Sequence, residues 1–266
     1  MLFDGLVYEL MGLPKGYISY SQIRLYQTCP QKYYYTYIKK VSVPVIDKVF
    51  LGVVFHSTIE YYFNERINGN DLSQESLVER FSGTFVQQRK QQEVAWENPP
   101  EETMKRGKAF VKYFLREVAP PIKPLMVEKE LIVDLPGIDV PLKGVIDLVE
   151  SDFSITDFKT TTAKWPKAKI KASYLQVVIY RYLFEQSFGD VISSLKFKII
   201  YAKDPGKIKH QEIVINPKDV DYDYSKMYDV IKYVVENIQQ GVFYKNESFI
   251  CGFCEFKDLC QKNSDT

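Results

Sequence analysis

Two acidic residues interrupt otherwise apolar, β-branched runs: Asp147 in GVIDLVE and Asp157 in SITDFKT, with Lys159 two places after the second. Strand residues two apart share a face, so Asp157 and Lys159 are expected to point to one place. A buried carboxylate without a partner costs several kcal/mol, a large part of a domain's net stability of about 5–15 kcal/mol. Asp157 and Lys159 can satisfy each other as a structural ion pair. Asp147 is then surplus, and a divalent cation is the natural partner of two converging carboxylates. Residue type and spacing leave the ion pair and the metal site both open.

Convergence depends on the turn between the two acids. A three-residue turn, Ser151-Asp152-Phe153, faces Glu150 with Ser154 and, farther along, Asp147 with Asp157. A two-residue turn at Ser151-Asp152 pairs Asp147 with Thr156 and sends the acids to opposite faces. A metal site therefore requires an odd-numbered turn or a bulge. Other polar residues stand in apolar surroundings: His56, one of two histidines, on a helix that also carries Glu60; Glu130 in VEKELIV; and Gln176 with Tyr180. The last two are four apart on a predicted helix and so share a face. Singly, each has an ordinary explanation: a hydrogen-bonded core histidine, an exposed strand acid, and helix packing with a polar edge.

The cysteines are confined to Cys29 and to Cys251, Cys254 and Cys260 in CGFCEFKDLC. In a reducing compartment such a set points to metal or redox chemistry rather than a disulfide framework. Four thiolates suit Zn²⁺ or a [4Fe–4S] cluster, and the spacing does not separate them. The formal charge of +1 provides no global attraction for a polyanion, so any nucleic-acid contact must come from a local patch. KWPKAKIK is one, with Lys164, Lys167, Lys169 and Lys171 around Trp165; a solvated basic loop or helix start is the plain alternative.

These residues need a scaffold. A chain of 266 residues with 45% hydrophobic and 26% charged residues is an ordinary globular composition, not a disordered one. No run approaches the roughly eighteen apolar residues of a membrane span. The opening MLFDGLVYELMGLPKG carries acids where a secretory signal carries positive charge, so a cytoplasmic location is expected. Ser19 is a candidate helix N-cap, with a break at Cys29-Pro30 and a second aromatic helix to about Lys39. Helical patterns follow over 50–69, 73–94 and 101–118, closed by Pro120-Pro121. From 126 the texture changes to three strands separated by turn signals, then a helix ending near 188, two more strands, and an amphipathic helix ending at Gly241. The expectation is one α/β domain over 1–266: a mainly helical part over 17–119, a mixed central β-sheet with the site over 126–216, and a helix with a Cys-rich tail over 217–266.

Taken in order, His56 in GVVFHSTIE, Glu130, Asp147 in GVIDLV, Asp157-Phe158-Lys159 in ITDFKTT and Gln176-Val-Val-Ile-Tyr180 resemble the RecB-like branch of the PD-(D/E)xK nuclease superfamily, from about Tyr17 to Cys260. Each motif is short, and their order carries the resemblance. SIT precedes the second acid where the superfamily has Pro, as is general in the RecB-like branch. The resemblance implies a restriction-endonuclease-like core. It implies Mg²⁺ or Mn²⁺ held by His56, Asp147, Asp157 and the backbone carbonyl of Phe158, with Lys159 at the attacking water. It places the Gln176–Tyr180 helix along the DNA side and counts Glu130 in the catalytic set.

The implied reaction is hydrolysis of phosphodiester bonds in DNA, by an exonuclease of repair, recombination or CRISPR- and phage-related processing. The four lysines would meet phosphates and Trp165 would stack on a base. The thiol layout is similar to that of the iron–sulfur subset, including AddB-type and CRISPR-associated enzymes, which implies a [4Fe–4S] cluster, with Zn²⁺ the alternative. DNA, single-stranded or with free ends, is the expected partner. No G-x-x-x-x-G-K-[ST] loop occurs, so unwinding would need a helicase or a CRISPR or recombination partner. Two other functions stand beside this one: a site- or structure-specific endonuclease on the same fold, and a non-catalytic, zinc-stapled DNA-binding protein.

Overall fold

The protein is described here by a computed structural model covering residues 12–204, 206–220 and 223–262. The first eleven residues, read above for a secretory signal, lie outside the described residues. A short strand β1 (Ile18–Ser19) leads into α1 (Tyr20–Thr28) and α2 (Pro30–Tyr33), which continues as a π-helical turn over Tyr34–Ile38. β2 (Val45–Ile46), α3 (Asp47–Ile67), α4 (Gln74–Gln91), β3 (Val94–Ala95) and α5 (Pro100–Tyr113) follow, the last widening into a π-helical turn over Phe114–Val118. Three strands come next, β4 (Pro124–Leu135), β5 (Ile138–Glu150) and β6 (Ile155–Thr161), then α6 (Lys167–Lys171) and α7 (Tyr174–Phe188). β7 (Leu195–Tyr201), β8 (Lys209–Ile215), α8 (Tyr224–Gln239) and α9 (Lys257–Lys262) complete the order.

Local chemistry sets these boundaries. Ser19 caps α1 by accepting from the Gln22 N–H, Ser73 caps α4 through Ser76, and Asp223 caps α8 through Lys226. Pro100 starts α5 where no backbone donor is needed, and Gly189, at φ 74°, closes α7 in the left-handed conformation. α6 lies inside the basic stretch; it is only five residues long.

The described residues group into two compact units, one of 12–43, 132–144 and 223–262 and the other of 44–131 and 145–220. In the second, β5 runs antiparallel to β6, β6 parallel to β7, and β7 antiparallel to β8. β4 also pairs with β5. The parallel β6–β7 step needs a crossover, which α6 and α7 supply. The fold is thus a mixed α/β one, with a mixed sheet flanked by helices, as expected.

The core of this unit is aromatic. Phe158 on β6 packs against Phe63 of α3 and Phe114, with ring centroids 5.7 and 5.8 Å away, and Phe50, Phe81, Phe85 and Phe110 are buried in the same cluster. Each such burial contributes about 1.5–3 kcal/mol. Gly107 lets α5 approach this cluster: a Cβ there would lie 2.0 Å from Phe81 Cζ.

In the first unit, β1 pairs in parallel with the start of β5, Ile18 opposite Leu142. Tyr33 stacks on Phe243, and Tyr26 donates to the Val242 carbonyl at 2.6 Å, so the early helices are tied to the segment after α8. Among the described residues no helix is long and apolar enough to cross a membrane.

Candidate active site and thiol cavity

The hairpin turn is the three-residue one. Glu150 N–H donates to the Ser154 carbonyl at 2.9 Å, and Phe153 takes the left-handed conformation at φ 58°, the usual third residue of such a loop. Asp152 Oδ1 holds the turn by accepting from both the N–H and the hydroxyl of Ser154. Leu148 then faces Thr156 and Val149 faces Ile155, a register that leads on to Asp147 and Asp157. Counting from the hydrogen-bonded Glu150–Ser154 pair, this is a non-hydrogen-bonded position, where facing side chains come closest.

The ladder is altered at the next step. Phe158 N–H donates to Asp147 Oδ2 at 3.0 Å. The N–H and C=O of one strand residue point to the same side, so the Phe158 carbonyl is directed toward β5 as well.

α3 brings His56 to the same carboxylate, with Nδ1 3.4 Å from Asp147 Oδ2. The third member is Glu128. One ligand atom from each of His56, Glu128 and Asp147 lies within 4.8 Å of the other two, and all three residues are half-buried. Sequence reasoning expected Glu130, which is exposed. The two acids are alternates on one strand, and only one reaches the group. Glu128 takes a left-handed φ of 44°, which breaks the alternation of β4 at that point. A usable signal was present: counting from a two-residue Pro136-Gly137 turn sets Glu128 opposite Val145, two positions from Asp147, and Glu130 four positions away.

Asp157 is 1% exposed. Its Oδ1 accepts from Gln176 Nε2 at 2.9 Å. Its Oδ2 lies 2.6 Å from Lys159 Nζ in an ion pair. Burial raises the Asp157 pKa, Lys159 opposes the rise, and Asp147 adds to it. Burial also pushes Glu128 up to about 7, with further repulsion from Asp147, Glu60 and Asp157. Tyr180 is raised well above its ordinary value, first by burial and then by Asp157 and Asp147. At 6% and 9% exposed, Gln176 and Tyr180 face inward behind Asp157 rather than along an open surface.

These residues fit a cation. Mutually repelling carboxylates, with buried Asp157 beside them, and one imidazole form a hard, oxygen-rich donor set suited to Mg²⁺ or Mn²⁺.

The basic stretch divides. Lys164, Lys167, Lys169 and Lys171 are exposed residues, but Trp165 is 8% exposed and packs on Phe197 at 5.3 Å. Its ring is not open to a base, contrary to expectation, because Gln211 draws the Trp165 backbone inward through the N–H and the carbonyl.

All four cysteines are free and line one cavity of about 420 Å³ in the first unit. The Cys260 pKa is raised, chiefly by burial, with Lys245 opposing the rise and the charges of Cys29, Cys254 and Cys251 adding to it. The cavity wall is stitched together by Gln31 N–H to the Tyr244 carbonyl, Asn246 Nδ2 to the Thr28 carbonyl, and Lys32 to Glu255 at 2.7 Å. Among the described residues, His56–Glu128–Asp147 is the group of three or more such ligands drawn within 4.8 Å.

Comparison with known families matches residues 17–261 to the PD-(D/E)XK nuclease superfamily. No curated protein sequence matches significantly. Among solved structures, a protein from Eubacterium rectale named as a presumed exonuclease superposes with TM-score 0.59 at 14% identity, over 99% of this chain and 93% of that one. The crystal structure of SSO0001 superposes with TM-score 0.38 at 13% identity, over 83% and 87%.

Proposed function

This chain belongs to the PD-(D/E)XK nuclease superfamily, and we propose that it is a metal-dependent deoxyribonuclease acting through His56, Glu128, Asp147, Asp157 and Lys159. The observation that carries this reading is the ion pair of buried Asp157 with Lys159, at 2.6 Å, on a strand whose partner contributes Asp147 to a three-ligand group. His56, Glu128, Asp147 and Asp157 would hold Mg²⁺ or Mn²⁺, with the Phe158 carbonyl directed the same way. When bound, the ion lowers the pKa of a water and offsets the charge that grows on the phosphoryl oxygens.

The chain's own residues do the rest. Asp157 holds the Lys159 side chain, 34% exposed, so that its ammonium faces the reacting groups as a donor to hydroxide or to a phosphoryl oxygen. Gln176, with Tyr180 behind it, fixes the Asp157 carboxylate. Lys164, Lys167, Lys169 and Lys171, all exposed, would contact phosphates of DNA that is single-stranded or has free ends.

Exonucleolytic action is the reading favoured by the likeness to the Eubacterium rectale protein. A cytoplasmic location, and a helicase or CRISPR or recombination partner that opens duplex DNA, belong to the same reading. We assign the thiol cavity to a structural [4Fe–4S] cluster rather than to Zn²⁺: four free thiols line one cavity of about 420 Å³, which has room for the larger group.

The test is degradation of 5′- and 3′-labelled single- and double-stranded DNA with Mg²⁺ or Mn²⁺, comparing the native protein with Lys159→Ala and Asp147→Ala. Full activity in both variants refutes the site. Circular single-stranded DNA left intact supports an exonuclease, and its cleavage an endonuclease. A brown protein whose visible absorption bleaches on reduction supports the cluster; a colourless protein with one equivalent of zinc opposes it.

A further inference from the structure

The end of β6 opens into a small cleft. Thr160, Thr161 and Thr162 line it together with Lys48 and Leu51 of α3 and Arg106 and Phe110 of α5. These residues belong to the second compact unit, as do His56, Glu128, Asp147 and Asp157. The cleft holds about 120 Å³, well below the roughly 300–1,000 Å³ of a site that encloses a whole small molecule. It suits a single chemical group, not a nucleoside.

Its polar lining consists of donors. Leu51 and Phe110 are buried and form the apolar wall. The rest is one guanidinium, one ammonium and three hydroxyls, with no carboxylate among them. Lys48 is ion-paired with Glu97 on the surface, a contact of little worth in water. Arg106 is half-buried and makes no ion pair or hydrogen bond among the described residues, although Glu102 stands one turn before it on α5. The side chains of Thr160, Thr161 and Thr162 likewise make no hydrogen bond among the described residues. A guanidinium beside hydroxyls and an apolar wall fits an anion with several oxygens, because its forked N–H groups match phosphate bidentately.

Two elements tie the cleft to the candidate active site. On β6, Thr160 and Thr161 directly follow Lys159, so the cleft begins about 3–7 Å along the strand from it. On α3, Gly52 and His56 are one turn apart on one face. His56 Nδ1 lies 3.4 Å from Asp147 Oδ2, and a Cβ at Gly52 would lie 3.5 Å from Thr160 Oγ1. One helix face thus meets the ligand group with one residue and the cleft with another about 6 Å away. A chain of phosphates with one member at the ligand group can carry its next member to the cleft.

We propose that this cleft binds the phosphate adjacent to the one that is cut, through the Arg106 guanidinium and the threonine hydroxyls. The inference deepens the nuclease reading and rests on it for the identity of the strand. Arg106 and the threonines touch no reacting atom; they hold the strand in register.

The experiment uses the full chain and a series of labelled single-stranded oligonucleotides, each with one phosphate replaced by a neutral methylphosphonate. With Mg²⁺ or Mn²⁺ and the native protein, a neutral linkage next to the cleaved bond should raise KM roughly tenfold. It should leave kcat little changed, because the contact is the same in ground and transition states. Arg106→Met should raise KM similarly on the all-phosphate strand and become indifferent to the neutral linkage at that position, while still responding to it elsewhere. Arg106→Lys, which keeps the charge without the fork, should fall between. Thr160→Val, which keeps the side-chain shape, should show a smaller part of the same effect and decides the matter should Arg106→Met not fold. A native KM in Arg106→Met, or a methylphosphonate penalty as large as in the native protein, overturns the proposal. An equal loss at every position assigns Arg106 to folding and overturns it too. If the native protein cleaves no strand, the nuclease reading fails, and metal-free binding by fluorescence anisotropy still tests the cleft. There Arg106→Met should flatten the slope of log K against log salt by about 0.7, one phosphate contact, and an unchanged slope overturns the proposal.

Discussion

Replacing Glu128 by Gln should stabilise the metal-free protein and weaken its response to metal, and the size of the effect follows from the site. The Glu128 carboxyl is raised from its ordinary 4.5 to about 7, chiefly by burial and then by Asp147, Glu60 and Asp157. The folded protein therefore holds this proton more tightly than the unfolded chain. The stability it contributes is fully present below about pH 4.5 and is lost as pH rises through about 7. That interval corresponds to roughly 3 kcal/mol. Glu128 is only half-buried, and allowing for solvent screening leaves about 1.5 kcal/mol. Glutamine keeps the shape and removes the ionisation. Thermal melts in EDTA should then show Glu128→Gln more stable than the native protein by about 3–6 °C at pH 8 and by a small fraction of that at pH 5. Adding Mg²⁺ or Mn²⁺ should reverse the order, because the native protein gains by mass action and the variant loses a ligand. A Glu128→Gln protein that is less stable at pH 8 in EDTA, or equally stabilised at both pH values, would refute the repulsion argument.

Three further outcomes are expected. Lys159→Met should cut cleavage by roughly 10²–10³-fold, and because it strips the cation from buried Asp157 it should also raise the pH at which metal binding begins, measured by calorimetric titration. Gln176→Leu removes the donor to Asp157 Oδ1; it should cost about 1–3 kcal/mol in urea unfolding and weaken metal binding by roughly ten- to a hundredfold, whereas unchanged metal affinity would show that Asp157 needs no such support. Gly107→Ala would push a methyl to 2.0 Å from Phe81 Cζ and 2.8 Å from Leu51 Cδ1; a loss of about 1–3 kcal/mol is expected from overpacking, and a neutral result would mean that α5 can move away from α4 without loss.

What the sequence made legible was governed by regular geometry. Alternation along β6 puts Asp157 and Lys159 on one side, and arithmetic on the Ser151–Phe153 turn sets Asp147 opposite Asp157; both depend only on the strand period and an odd loop. The helix breaks at Pro30 and Pro120 and the stop at Gly241 are likewise chemical, and the elements follow them. Such inferences hold because no distant residue is needed to make them true.

Glu128 and Trp165 mark where that legibility ends, and for different reasons. A strand with acids at both 128 and 130 offers one face twice, and the choice between them needs the register set by the Pro136-Gly137 turn, carried along the strand to a residue that itself takes an uncommon left-handed φ. Trp165 lies between β6 and α6, where no period says which way a side chain turns. Its direction is set by Gln211, forty-six residues later, and by Phe197 on β7. A tryptophan among lysines reads as a base-stacking platform only while its neighbours in space are unknown; once Gln211 and Phe197 turn it inward, the surface it offers is the one that carries Lys169. Residue type pointed to a phosphate-bearing partner, while long-range packing turned the ring away from the surface where such a partner would stack.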